Sequence, residues 1–235
     1  MSKEQVVVVT GGGRGIGRAI AAHFAADGAQ IVAASRTPSE LAETKADVER
    51  KGGRCHVHSC DISIARQVES LVDDIVKRFG RIDVLVNCAG VAPVSTIEEL
   101  SEETFDRLWA VNVKAMYLVS RAAWAALKKT KGVIVNISSI ASRDPFAGLT
   151  AYGASKAWVN AWTRGLADEG RASGVRVFAI APGAVQTQML HEVVPDYPKA
   201  DTLDPENVAA MVHAIAQPAC RYATGQTIFF QRQGD

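Results

Sequence analysis

The chain of 235 residues balances 26 Lys and Arg against 25 Asp and Glu and is 48% hydrophobic. A formal charge of +1 gives no general attraction to nucleic acid or to an anionic membrane, and no apolar run approaches the roughly twenty residues of a membrane span. Length and composition suit one α/β domain over residues 1–235 that encloses a cofactor and a small substrate, with no room for a second domain.

Met1–Gln5 lead into the first strand without a signal-peptide pattern, which predicts a cytoplasmic protein. Cys55, Cys60, Cys88 and Cys220 show no CxxC spacing, and the five histidines show no ligand spacing. Free thiols without a metal site are therefore expected.

Val6–Val9 form a β-branched run of the kind buried on both faces of a parallel sheet, and the run leads directly into Thr10-Gly11-Gly12-Gly13-Arg14-Gly15-Ile16-Gly17. Ile16, Ile20, Ala21 and Phe24 then recur at helical spacing. The glycines thus mark a strand-to-helix turn whose free N–H groups and helix dipole favour a phosphate. About twenty residues on, the second strand ends at Ser35-Arg36, where an acid would hold the 2′-hydroxyl of NAD. No acid stands at that strand end. Arg36, with Arg14 in the glycine turn, offers two cations to a 2′-phosphate, which predicts NADP(H).

Further strand-like runs fall near Arg54–Ser59, Ile82–Asn87, Gly132–Ser138, Val175–Ile180 and Gln226–Phe230, alternating with helical stretches. Repeated βα units imply a doubly wound parallel sheet of about seven strands with helices on both faces. Thr10, Ser35, Asp61, Asn87, Ser139 and Pro182 all stand at or just past strand ends, on the edge where such sheets bind ligands. Ser138 and Ser139 alternate in direction, so only one of them faces a given site, and Ser139 is the expected one. Tyr152 and Lys156, four apart on a predicted helix, share a face, and the ammonium would favour the phenolate of a proton-transferring tyrosine.

TGGGRGIG at residues 10–17, NCAG at 87–90, Asn112, Ser139, YGASK at 152–156 and PGAVQT at 182–187 resemble, in order and spacing, the short-chain dehydrogenase/reductase family. The resemblance covers essentially the whole chain. It implies a Rossmann-type sheet of order 3-2-1-4-5-6-7, NADP(H)-dependent hydride transfer with a small carbonyl or alcohol, and a catalytic quartet of Asn112, Ser139, Tyr152 and Lys156. Tyr152 would be the general acid/base and Ser139 the carbonyl holder, while Lys156 would bind the nicotinamide ribose. Asn112 would support a helix distortion and an ordered water leading to Lys156, although the bare sequence alone favours a buried amide tying helix to sheet.

The same resemblance puts Gly11, Arg14, Gly15, Ile16, Gly17, Ser35 and Arg36 along the phosphates and 2′ substituent, and Asp61 and Ile62 beside the adenine. Asn87, Ala89 and Gly90 would follow the adenosine ribose, and Pro182, Gly183, Val185 and Thr187 the nicotinamide carboxamide. Two departures stand out: Cys88 replaces a common second asparagine, and the glycine-containing tail after Phe229–Arg232 is altered. About fourteen residues between Thr187 and Asp201 make a short lid and an open mouth. Phe146 is a candidate wall there, and Arg143 is either a loop charge or a carboxylate contact.

Small ketones, aldehydes or ketoses are the first substrate class. A 3-oxoacyl thioester is the alternative, with Lys128, Lys129 and Arg171 docking an acidic carrier protein, and a non-catalytic NADP(H) sensor is the reading from outside enzymology. Trp109, Trp124, Trp158 and Trp162 accompany the long helices, which in the family often pair, so a homodimer or homotetramer is expected.

Overall fold

The computed structural model describes residues 4–232; Met1–Lys3 and the tail that follows Arg232 lie outside the described residues. Seven strands, β1 (Val6–Thr10), β2 (Gln30–Ser35), β3 (Arg54–Ser59), β4 (Val84–Asn87), β5 (Val133–Ile137), β6 (Arg176–Pro182) and β7 (Thr227–Phe230), form one all-parallel sheet of order 3-2-1-4-5-6-7. The expected architecture and strand order are both present. Strand β6 runs two residues further than its apolar pattern indicated, because Pro182 pairs in register with Phe230 of the edge strand.

The helices are α1 (Gly15–Ala26), α2 (Pro38–Arg50), α3 (Ala65–Phe79), α4 (Glu102–Trp109), α5 (Ala115–Thr130), α6 (Thr150–Gly170), α7 (Gln188–Val193) and α8 (Pro205–Ala216). Alternation along β1 divides the core in two. Val7 and Val9 face a layer built on Phe24 of α1, Leu41 of α2 and Val212 of α8, whereas Val6 and Val8 face Leu71 of α3, Leu127 of α5 and Leu166 of α6. Each valine buried this way contributes about 1.5–3 kcal/mol, so the uninterrupted Val run reflects two covered faces. Among the described residues no helix is long and apolar enough to cross a membrane.

This topology sets the place of the site. Chain order reverses on either side of β1, between β2 and β4, and leaves a crevice beyond the carboxyl ends of those strands. Thr10 closes the inner wall of the crevice: its hydroxyl donates to the Val86 carbonyl at 3.3 Å and accepts from the Cys88 amide at 3.1 Å.

Candidate active site

One cavity of about 490 Å³ occupies the crevice, running from the glycine turn past the ends of β2 and β3 to Ser139, Tyr152 and the segment after β6. The turn itself needs glycine at two positions in particular. Gly11 has φ +66°, and a Cβ there would lie 2.8 Å from the Ala89 Cα, while a Cβ on Gly17 would come within 2.2 Å of the Gly11 carbonyl. The carbonyl side of the turn is clamped from behind. Buried Thr44 donates to the carbonyls of Gly12 and Gly13 at 2.9 and 3.0 Å, and Arg18 donates to that of Gly13 at 2.6 Å. Neither clamp residue was legible in the sequence, because each acts from a helix packed behind the turn.

The outer end of the cavity is polar. Arg14, Ser35, Arg36, Asp61 and Ile62 line it, and so does Glu40 from the first turn of α2. Burial acts to raise the Asp61 carboxyl, but bonds from the Ser63 hydroxyl and amide, with the Arg36 and Arg107 charges, hold it below its ordinary value. The Ser35 hydroxyl is buried and, among the described residues, has no hydrogen-bond partner. An unsatisfied donor in a recess lined by two arginines fits the hydroxyl or phosphate of a dinucleotide's adenosine half.

At the inner end, the chain between α4 and α5 is a π-helical turn, Ala110–Lys114, which rotates Asn112 inward to 1% exposure. The Asn112 Oδ1 accepts from the Val91 amide at 2.9 Å, and its Nδ2 donates to the Val91 carbonyl and to Ser155 Oγ, both at 3.0 Å. Asn112 thus ties helix α6 to the loop after β4. The bare-sequence reading has a buried amide tying helix to sheet; the amide is buried but ties helix to loop, and the expected helix distortion is present as well.

Lys156 is 4% exposed; its Nζ donates to the Ile137 carbonyl at 2.8 Å and lies 5.7 Å from the Tyr152 ring centroid. Burial pushes Lys156 down to about 8, with Cys88 acting weakly the other way. Tyr152 is raised above its ordinary value, chiefly by burial, with a Ser139 hydrogen bond opposing and Cys88 adding to the rise. Desolvation dominates here, and what opposes it is the Ser139 hydrogen bond rather than the charge of Lys156. Burial likewise pushes the Cys88 thiol up to about 12.

Ser139 caps a short 3₁₀ turn, Ile140–Ser142, by accepting from the Ala141 amide at 3.2 Å, and its hydroxyl is in hydrogen-bonding contact with Tyr152. Ser138 is engaged elsewhere: its hydroxyl donates to the Lys156 carbonyl at 3.1 Å and anchors α6 to β5. Chemically, the arrangement offers two O–H donors and a buried ammonium at one end of a cavity whose other end suits a dinucleotide.

The family model for short chain dehydrogenase matches residues 5–198. The chain belongs to that family. It is 36% identical to the short-chain reductase protein NovJ of Streptomyces niveus over 97% of this chain and 93% of that one. It is 35% identical to 3beta-hydroxysteroid dehydrogenase 1 of Eggerthella lenta, covering 97% and 92%. Among solved structures, the 3-ketoacyl-(acyl-carrier-protein) reductase of Brucella melitensis complexed with NADH superposes with a TM-score of 0.89 at 28% identity, covering 98% of both chains.

As a member of this family, the chain keeps most of the anticipated residues around the cavity, including Gly11, Gly15, Ile16, Gly17, Ala89, Gly90, Pro182, Gly183, Val185 and Thr187. Asn87 is an exception. Its side chain turns into the fold, donating to Asn136 Oδ1 at 2.9 Å and Ser120 Oγ at 3.2 Å, because the alternation of β4 points it under the sheet's helices. Arg143 is a loop charge: it pairs with Asp144 at 3.0 Å and lies 4.8 Å from the Phe229 ring centroid. The short lid covers more than its length indicated, since Met189, Val193, Val194 and Tyr197 all line the cavity.

Lys128, Lys129 and Arg171 lie at the opposite edge of the sheet. Lys128 and Lys129 close α5 beside the start of β5, where Thr130 Oγ1 donates to the Ile82 carbonyl before β4, and Arg171 precedes β6. A carrier protein docked on these charges would sit at the amino ends of the strands, away from the cavity, so they do not support carrier docking.

Proposed function

We propose that this chain is an NADP(H)-dependent reductase of small carbonyl compounds, working through Ser139, Tyr152 and Lys156 with Asn112 as the brace of their helix. The observation that carries the reading is the gathering of those three side chains at the inner end of one cavity whose outer end holds Arg14, Ser35 and Arg36. When bound, the nicotinamide supplies or accepts the hydride.

The side chains handle charge and proton. In reduction, negative charge grows on the carbonyl oxygen; Ser139 Oγ donates a hydrogen bond to it and Tyr152 gives up its phenolic proton. A phenol held above its ordinary value stays protonated and ready to donate at neutral pH. Lys156 keeps its charge below about pH 8 and stabilises the phenolate left behind. Ser138 and Asn112 supply no proton; they fix where Lys156 stands.

Substrate choice follows from the cavity lining, to which Val91, Ala92, Leu149, Met189 and Val193 contribute apolar side chains. With Arg143 turned to Asp144 and Phe229, that wall favours uncharged ketones and aldehydes over carboxylates. A 3-oxoacyl thioester is the second reading, favoured by the likeness to the Brucella reductase. The sensor reading is weaker, because a sensor has no use for a serine hydroxyl paired with a phenol beside a buried ammonium. An aromatic surface on α4–α6, with Phe105 and Tyr117 exposed and Trp158 stacked on Trp162 at 5.0 Å, supports pairing of two copies into a homodimer or homotetramer.

The test is absorbance of the reduced nicotinamide with NADPH and NADH in parallel, across diketones, aldehydes, ketoses and 3-oxoacyl thioesters. Faster turnover of uncharged ketones with NADPH is the expected result. Turnover of thioesters alone would move the function to the second reading, and preference for NADH would overturn the cofactor assignment.

A further inference from the structure

Although the end of β2 carries no acid, the fold brings one to the same recess. Pro38 starts α2 with two residues between it and the end of β2, and its first turn carries Glu40 back over the glycine turn. A methyl group placed on Gly13 would lie 2.8 Å from Ser35 Oγ and 3.1 Å from Glu40 Oε2, so the partnerless serine hydroxyl and the carboxylate flank the same glycine. Arg14 Nη1 stands 3.7 Å from Glu40 Oε1 and donates to Gln188 Oε1 at 2.5 Å. One of the two cations read as phosphate ligands is therefore already facing an acid.

We propose that Glu40 is a specificity-determining acid that narrows the margin by which this chain favours a 2′-phosphate over a 2′-hydroxyl on the cofactor's adenosine. The inference rests on the NADP(H) reading for the location of the recess, not for its outcome. A phosphate entering beside Ser35 meets Arg14 and Arg36 but also the like charge of Glu40, and Arg14 must share its field between carboxylate and phosphate. A 2′-hydroxyl meets no such repulsion and finds in Glu40 an acceptor. The recess therefore tolerates both cofactors better than two unopposed arginines would.

The experiment is calorimetric titration of the whole chain with adenosine 2′,5′-bisphosphate and with 5′-AMP, before and after Glu40→Gln, at low salt. Removing the charge is expected to tighten the bisphosphate roughly five- to tenfold and to leave 5′-AMP within about twofold. Glu40→Ala should show the same change, and thermal melts of both variants verify folding. An unchanged or reduced ratio of the two affinities would overturn the inference. The NADP(H) reading fails separately: if the unaltered chain binds the bisphosphate no better than 5′-AMP, that reading falls, while a ratio that still rises on Glu40→Gln leaves the role of Glu40 standing.

Discussion

Asn112 Nδ2 donates to Ser155 Oγ at 3.0 Å, and Ser155 in turn donates to the Tyr152 carbonyl at 2.7 Å. The π-turn between α4 and α5 thereby grips α6 at the residue before Lys156. Ser155→Ala removes both bonds and should cost about 1–2 kcal/mol of stability. It should lower kcat, because Lys156 loses its bracing, yet leave 5′-AMP affinity unchanged, since the outer end of the cavity is untouched. Asn112→Leu strands the Val91 amide and carbonyl as well, and should cost about 3 kcal/mol by chemical denaturation.

The pH dependence follows from Lys156. Its folded value, about 8, lies below the ordinary 10.5, so between these two the unfolded chain holds a proton that the folded chain has released. Stability from this group therefore rises with pH across that window, and the cost of a buried ammonium is fully felt below about 8. Reduction needs the ammonium, and Tyr152, raised above its ordinary value, is still protonated where Lys156 loses its charge near 8. The reductive kcat/KM should fall as pH rises through about 8. Measured across that range, a falling limb above about 10 would contradict the assignment.

Thr44→Val tests the clamp behind the glycine turn. The substitution keeps the shape but removes the donor to Gly12 and Gly13, which should cost about 1–3 kcal/mol. Affinity for the reduced dinucleotide should drop several-fold while kcat at saturation holds, as binding titrations and saturation kinetics would show.

Local chemistry explains what the sequence disclosed. The i,i+4 spacing of Tyr152 and Lys156 and the opposite directions of Ser138 and Ser139 are consequences of helix and strand periodicity, readable without a fold. The parallel sheet was legible because its strands are continuous apolar runs. Glu40, Thr44 and Asn87 were not, since each depends on how one element is turned toward another. Glu40 had one local signal: an acid two residues after a helix-starting proline points back toward the preceding strand end. The rise at Tyr152 was not legible, because desolvation is a tertiary quantity that no spacing reveals.

Tyr152→Phe tests the central claim most directly. Reduced-nicotinamide fluorescence would report binding, and single-turnover absorbance with an uncharged ketone would report hydride transfer. The account predicts binding within about twofold of the unaltered chain and a rate lower by roughly a thousandfold, because only the proton donor is lost. Hydride transfer persisting within tenfold would contradict the assignment of Tyr152 as the acid.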